Sequence, residues 1–123
     1  MATEKDNAFV RFLLEETKAG RIRWQPAAEP DRFVASFKGK YNVVVDKSQD
    51  PDDQSFYFYV KLSDDADQEL LMVYNSENIL VRELFFIVRR ISLNVDLAID
   101  EIMKSVKGDS PANTPISDED IPF

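Results

Sequence analysis

The chain has 123 residues and a formal net charge of −8, enough length for one domain with a real core plus a tail. It contains no Cys and no His, which removes thiol nucleophiles, disulfides, thiolate zinc sites and imidazole acid–base chemistry together. What remains reads as a non-enzymatic protein without metal or cofactor. Met1 to Asn7 is polar and no stretch approaches the length of a membrane span, so the expected location is cytoplasmic.

In chain order, Asn7 to Ala19 predicts an amphipathic helix. Phe9, Phe12 and Leu13 share one stripe, with Val10 and Leu14 beside it and Gly20 as the stop. Arg21 to Gln25 alternates and predicts a strand, Ile22 and Trp24 to the core and Arg21, Arg23 and Gln25 to the other side; Pro26 to Pro30 ends it. Arg32 to Lys38 alternates again with Phe33, Ala35 and Phe37 inward. A tight turn at Gly39 and Lys40 leads into a return strand, Tyr41 to Val45.

Asp46 to Gln54 reads as a polar loop. Its first residues have the early spacing of a calcium loop, but Pro51 stands where the Gly turn is needed and Tyr57 where the bidentate Glu belongs. The strand Ser55 to Leu62 follows, with Phe56, Phe58, Val60 and Leu62 inward and Tyr57, Tyr59 and Lys61 outward. After a solvated turn over Asp64 to Gln68, Glu69 to Tyr74 is a fifth strand.

Ser76 or Asn78 is positioned to cap a helix that runs to Ser92. Its apolar residues spread around most of the circumference, which makes it either the central core helix or also a subunit contact, hence a homodimer. Asn94 reads as the N-cap of a last helix, Val95 to Lys107, with Ile99, Ile102, Met103 and Val106 on its inner stripe. Beyond Gly108 the Ser-Pro and Thr-Pro pairs and the acids predict disorder. The expected fold class is α+β: an N-terminal helix, an antiparallel meander of four to five strands and two C-terminal helices packed on one sheet face. These form a globular domain at 1–108, followed by a flexible acidic tail at 109–123.

The charge has to be divided before it is used. The tail holds Asp109, Asp118, Glu119 and Asp120 and no Lys or Arg, so the body carries 15 basic and 19 acidic side chains, a net of −4. If the alternation holds, the sheet face away from the helices carries Arg21, Arg23, Arg32, Lys38, Lys40, Tyr57, Tyr59 and Lys61, with Gln25 and Asn42 among them. Flat rings between cations suit single-stranded nucleic acid, because bases stack on rings without regard to sequence while Arg and Lys follow the phosphates. The same residue types also occur on ordinary solvated sheet faces.

The sequence finishes in Asp118-Glu119-Asp120-Ile121-Pro122-Phe123, acids followed by a short apolar group held in part by a proline. Phe123 suits a shallow apolar pocket with a cation at its lip, Pro122 lowers the entropy lost on docking, and the acids face a basic rim. This stretch resembles the acidic tip of bacterial single-stranded-DNA-binding proteins, which docks replication, recombination and repair proteins onto DNA the rest of the protein covers. The body does not resemble the five-stranded barrel that usually carries such a tip.

Together these features predict a single-stranded-DNA-binding protein of DNA replication, recombination or repair, of bacterial, phage or mobile-element origin, whose tail recruits partner proteins. The alternative is an interaction protein that mimics the tip, as adaptor or competitor, without binding DNA itself.

Overall fold

A computed structural model describes residues 2–108 of the chain, in two units that divide after Leu93. In the first unit, helix α1 (Glu4–Lys18) begins one turn before the expected Asn7. The cause is a capping box: the Asp6 backbone N–H donates to the Thr3 hydroxyl at 3.1 Å, and the Thr3 N–H donates to the Asp6 carboxylate at 2.9 Å. The helix ends as Gly20 predicts. Gly20 takes a φ of +77°, and the N–H groups of Gly20 and Arg21 reach back to the carbonyls of Thr17 and Glu16.

A five-stranded antiparallel sheet follows in meander order: β1 (Gln25–Pro26), β2 (Arg32–Phe37), β3 (Tyr41–Gln49), β4 (Phe56–Asp64) and β5 (Glu69–Tyr74). The first strand is shorter than its alternation suggests, because Arg21 still belongs to the helix terminus and only Gln25 and Pro26 pair with β2. The third is longer. Asp46, Lys47, Ser48 and Gln49, expected in a loop, pair with Tyr59, Phe58, Tyr57 and Phe56. Between β2 and β3, Lys38 and Gly39 both adopt positive φ (58° and 64°), the conformation that matches strand twist in a tight hairpin.

Helix α2 (Leu80–Ser92) completes this unit. Asn78 sets its start: the carboxamide oxygen accepts from the Leu80 N–H at 2.9 Å, while the amide nitrogen donates to Asn7 of α1 at 3.0 Å. One register level across the sheet holds Phe33, Val45, Val60 and Val73. All four are buried and point to the side on which Val81, Leu84, Phe85 and Val88 of α2 and Val10, Leu13 and Leu14 of α1 lie. Phe85 is the centre of this core, its ring 6.0 Å from that of Phe33 and 5.1 Å from that of Phe58. Trp24 is buried at the margin, and its indole N–H donates to the Thr17 hydroxyl at 2.9 Å.

The second unit contains helix α3 (Val95–Met103) and a π-helical turn, Lys104–Gly108, where a continuous α-helix to Lys107 was expected. Asn94 precedes the helix in the left-handed region at φ 54° and makes no side-chain cap bond. Ile99, Ile102 and Met103, read from sequence as an inner stripe, are exposed, and α3 has no buried residue. The α+β layout of helix, meander and two further helices is thus present, with the core formed by the sheet, α1 and α2.

Truncating Phe85 should leave a cavity that the surrounding Phe33, Phe58 and Phe86 rings cannot close. Phe85→Ala is expected to lower unfolding free energy by about 3–5 kcal/mol in urea denaturation, with an unchanged denaturant slope if the native fold persists.

Candidate functional site

With α1 and α2 on one face of the sheet, the opposite face of the same unit carries every residue out of phase with the core. Across β2 to β5 one level reads Arg32, Asp46, Tyr59, Tyr74, and the next reads Val34, Val44, Lys61, Met72. Tyr57 lies beside Ser48 on the same face. Tyr57, Tyr59 and Tyr74 form a triangle with centroid separations of 6.3, 6.0 and 6.0 Å, their planes tilted against one another. Tyr74 was not singled out by sequence. The inward positions of Leu71 and Val73 on its strand carry the signal that would have placed it here.

The centre of the face is not simply basic. Asp46 is only 5% exposed, and its Oδ2 accepts from Arg32 Nε at 2.8 Å and from the Tyr59 hydroxyl at 2.8 Å. Arg32 also reaches Glu29 at 3.5 Å. The guanidinium is therefore balanced by two carboxylates, and its already high pKa is raised further, chiefly by the hydrogen bond to Asp46. Burial pushes the Tyr59 phenol up to about 12, and the bond to Asp46 adds to the shift. The result is a neutral, oriented ring at the middle of the face.

The other expected cations are distributed unevenly. Arg21 leaves the face altogether: its Nε donates to Glu16 at 2.6 Å at the end of α1, an interaction that lowers the Glu16 pKa. Arg23 and Lys61 lie on the face and make no ion pair among the described residues. Lys38 and Lys40 sit at the rim, in the β2–β3 turn, with Lys40 Nζ 5.3 Å from the centroid of the Tyr41 ring. Gln25 and Asn42 are also on the face, where the Ser36 hydroxyl donates to Asn42 Oδ1 at 2.7 Å. The tip residues Asp118, Glu119, Asp120, Ile121, Pro122 and Phe123 lie outside the described residues.

Among the described residues, no group of three or more His, Cys, Asp or Glu could hold a metal ion. Asp46, the first position of the calcium-like spacing, belongs to a strand. In the turns, Asp64 Oδ1 accepts from the N–H groups of Ala66 and Gln68, while Asp50 and Asp53 serve the N–H groups of Asp52 and Ser55. No described helix is long and apolar enough to cross a membrane. Ile79, just before α2, and Phe86 and Ile91 on it stay exposed. Comparison with known proteins found no family model, no curated protein and no solved structure that matches the chain.

The raised phenol has a readable consequence. An unfolded tyrosine ionises near 10, so the folded state keeps its full advantage below that pH and loses it as pH rises through about 12. An absorbance titration should resolve a tyrosine ionising near 12. In Tyr59→Phe that transition should vanish, together with about 1.5–3 kcal/mol of stability at neutral pH from the lost bond to the charged Asp46.

Proposed function

We propose that the chain binds single-stranded DNA on the outer face of its sheet and uses the acidic tail to recruit replication or repair proteins. The observation that carries this reading is the convergence of Tyr57, Tyr59 and Tyr74 on a sheet face that neither α1 nor α2 covers. Rings held on a rigid sheet offer bases a stacking surface that depends little on sequence. Arg23 and Lys61 flank that surface without an ion pair among the described residues, and they would follow the phosphates. Lys38 and Lys40 extend the basic rim at one end. Arg32 contributes less charge than its type suggests, and its role is to hold Asp46. No step of this reading requires a bond to be made or broken in the ligand.

The buried carboxylate of Asp46 favours a second reading, since its pairing with Arg32 leaves the centre of the face without a free cation for phosphate. In that reading the chain is an adaptor or competitor that mimics the tip of a single-strand-binding protein and has no DNA affinity of its own.

Fluorescence anisotropy of a labelled oligo-dT, at low and moderate salt, separates the two. The first reading expects binding that weakens with salt. Tyr57→Ala or Tyr74→Ala should cost about 1–3 kcal/mol per base lost from the stack, and Lys61→Ala should reduce the salt slope by about 0.7. Removing residues 109–123 should tighten binding at low salt, because the acidic tail competes for the same cations. Absence of binding at either salt would end the DNA reading and leave the adaptor.

Asp46→Asn tests how the centre of the face is balanced. The amide can still accept from the Tyr59 hydroxyl, but it no longer neutralises Arg32. DNA binding should tighten and the salt slope should steepen by about 0.7, as one more cation becomes available to phosphate.

A further inference from the structure

Beside the edge strand β1, the outer face opens into a cleft of about 280 Å³ lined by Arg23, Gln25, Pro26, Val34 and Ser36. The register explains why these residues meet. Gln25 pairs with Val34, Arg23 lies two residues earlier in the same phase, and Ser36 lies two residues further along β2. Ser36 in turn pairs with Asn42 and donates to its carboxamide oxygen at 2.7 Å, which leaves the Asn42 amide nitrogen without a protein partner among the described residues. The side chains of Gln25 and Arg23 have no hydrogen-bond or ion-pair partner there either.

A cleft with this lining suits one class of ligand. Val34 and Pro26 supply an apolar surface for a flat ring. A carboxamide presents a donor and an acceptor side by side, which matches the edge of a nucleobase. A phosphate presents acceptors alone and would leave the carboxamide oxygen of Gln25 unmatched. Arg23 at the lip is then free to meet the phosphate attached to that base. The cleft on β1 and β2 and the tyrosines on β4 are separated by two to three strand spacings across the sheet and two to four residues along it, on the order of 10–20 Å. Two or three nucleotides of one extended strand can bridge that distance.

We infer that this cleft is a nucleobase subsite in which Gln25 reads a base edge, assisted by Asn42 beside it across Ser36, giving the face a base preference that stacking alone does not provide. The inference rests on the proposed single-strand binding. Its consequence is a protein that holds some bases on rings without discrimination and selects one beside them.

The test uses the full-length protein, isotopically labelled, with oligo-dT, oligo-dC and oligo-dA in turn. Heteronuclear NMR should show the side-chain NH₂ signals of Gln25 and Asn42 shifting more with one homopolymer than with the others. Anisotropy should show unequal affinities that converge in a Gln25→Ala/Asn42→Ala variant, with a loss of roughly tenfold for the preferred base. Shifts confined to the strands bearing Tyr57, Tyr59 and Tyr74, with equal affinities for all three oligomers, would overturn the subsite and leave the stacking face standing. No shift with any oligomer would overturn the single-strand reading and the subsite with it. Because the NMR arm uses unmodified protein, a variant that fails to fold does not decide the outcome.

Discussion

The packing of Phe85 against Phe33 and Phe58 decides which side of the sheet is core. Side chains alternate along a strand, so seating one aromatic residue of α2 on β2 and β4 commits every position in phase with them to the interior. Val45, Val60 and Val73 follow at the same level and are fully buried. Everything out of phase is committed to the other face at the same moment. The tyrosine triangle is the complement of the core pattern. A register slip of one residue would exchange the two faces and expose the valines, so the core that stabilises the fold also fixes the platform.

The second constraint is Asp46. A carboxylate buried to this degree is tolerable only with donors on hand, and it has one on each neighbouring strand, Arg32 of β2 and Tyr59 of β4. Removing either donor leaves a poorly satisfied charge, and replacing Asp46 with an apolar residue frees Arg32 while releasing the Tyr59 ring. The row from Arg32 to Tyr74 is thus nearly neutral and locally rigid. A face built in this way relies more on rings than on phosphate contacts. On the proposed reading, its attraction for a polyanion would come from Arg23, Lys61 and the rim lysines.

Much of this architecture was legible in the residue pattern, and the exceptions have identifiable causes. The inward placing of Phe33 and Ala35 on β2 and of Phe58 and Val60 on β4, the stop at Gly20 and the burial of Trp24 all follow from alternation and turn chemistry. Phe56, expected inward with them, is 56% exposed at the first position of β4, and the turn expected at Gly39 and Lys40 begins one residue earlier, at Lys38. The polar run from Asp46 to Gln54 has a loop's composition, which hides the strand position of Asp46. Pairing extends β3 to Gln49 instead, with Lys47 Nζ resting 4.4 Å from the centroid of the Phe56 ring. The alternation of its neighbours predicts a strand at Arg21, but the two backbone bonds closing α1 take its segment first. The Ile99, Ile102 and Met103 stripe has helical spacing, and spacing alone does not say what covers a stripe. Tyr74 was overlooked on a strand whose own alternation already placed it outward.

Preorganisation links these features to the proposed function. A free tyrosine on a surface loses rotamer freedom when a base settles on it, which subtracts from the stacking energy. Tyr59 has already lost that freedom to the Asp46 bond, and Tyr57 and Tyr74 are each in ring contact with it and with one another. Much of the ordering cost is therefore borne by folding. The same carboxylate also pairs with Arg32 at 2.8 Å and offsets its charge, exchanging phosphate attraction for ring orientation. That exchange suits a ligand recognised by its bases rather than by its charge alone. Duplex DNA, with its bases stacked on one another and its phosphates outward, gains little from such a face. An unpaired strand, whose base faces are available, gains the most.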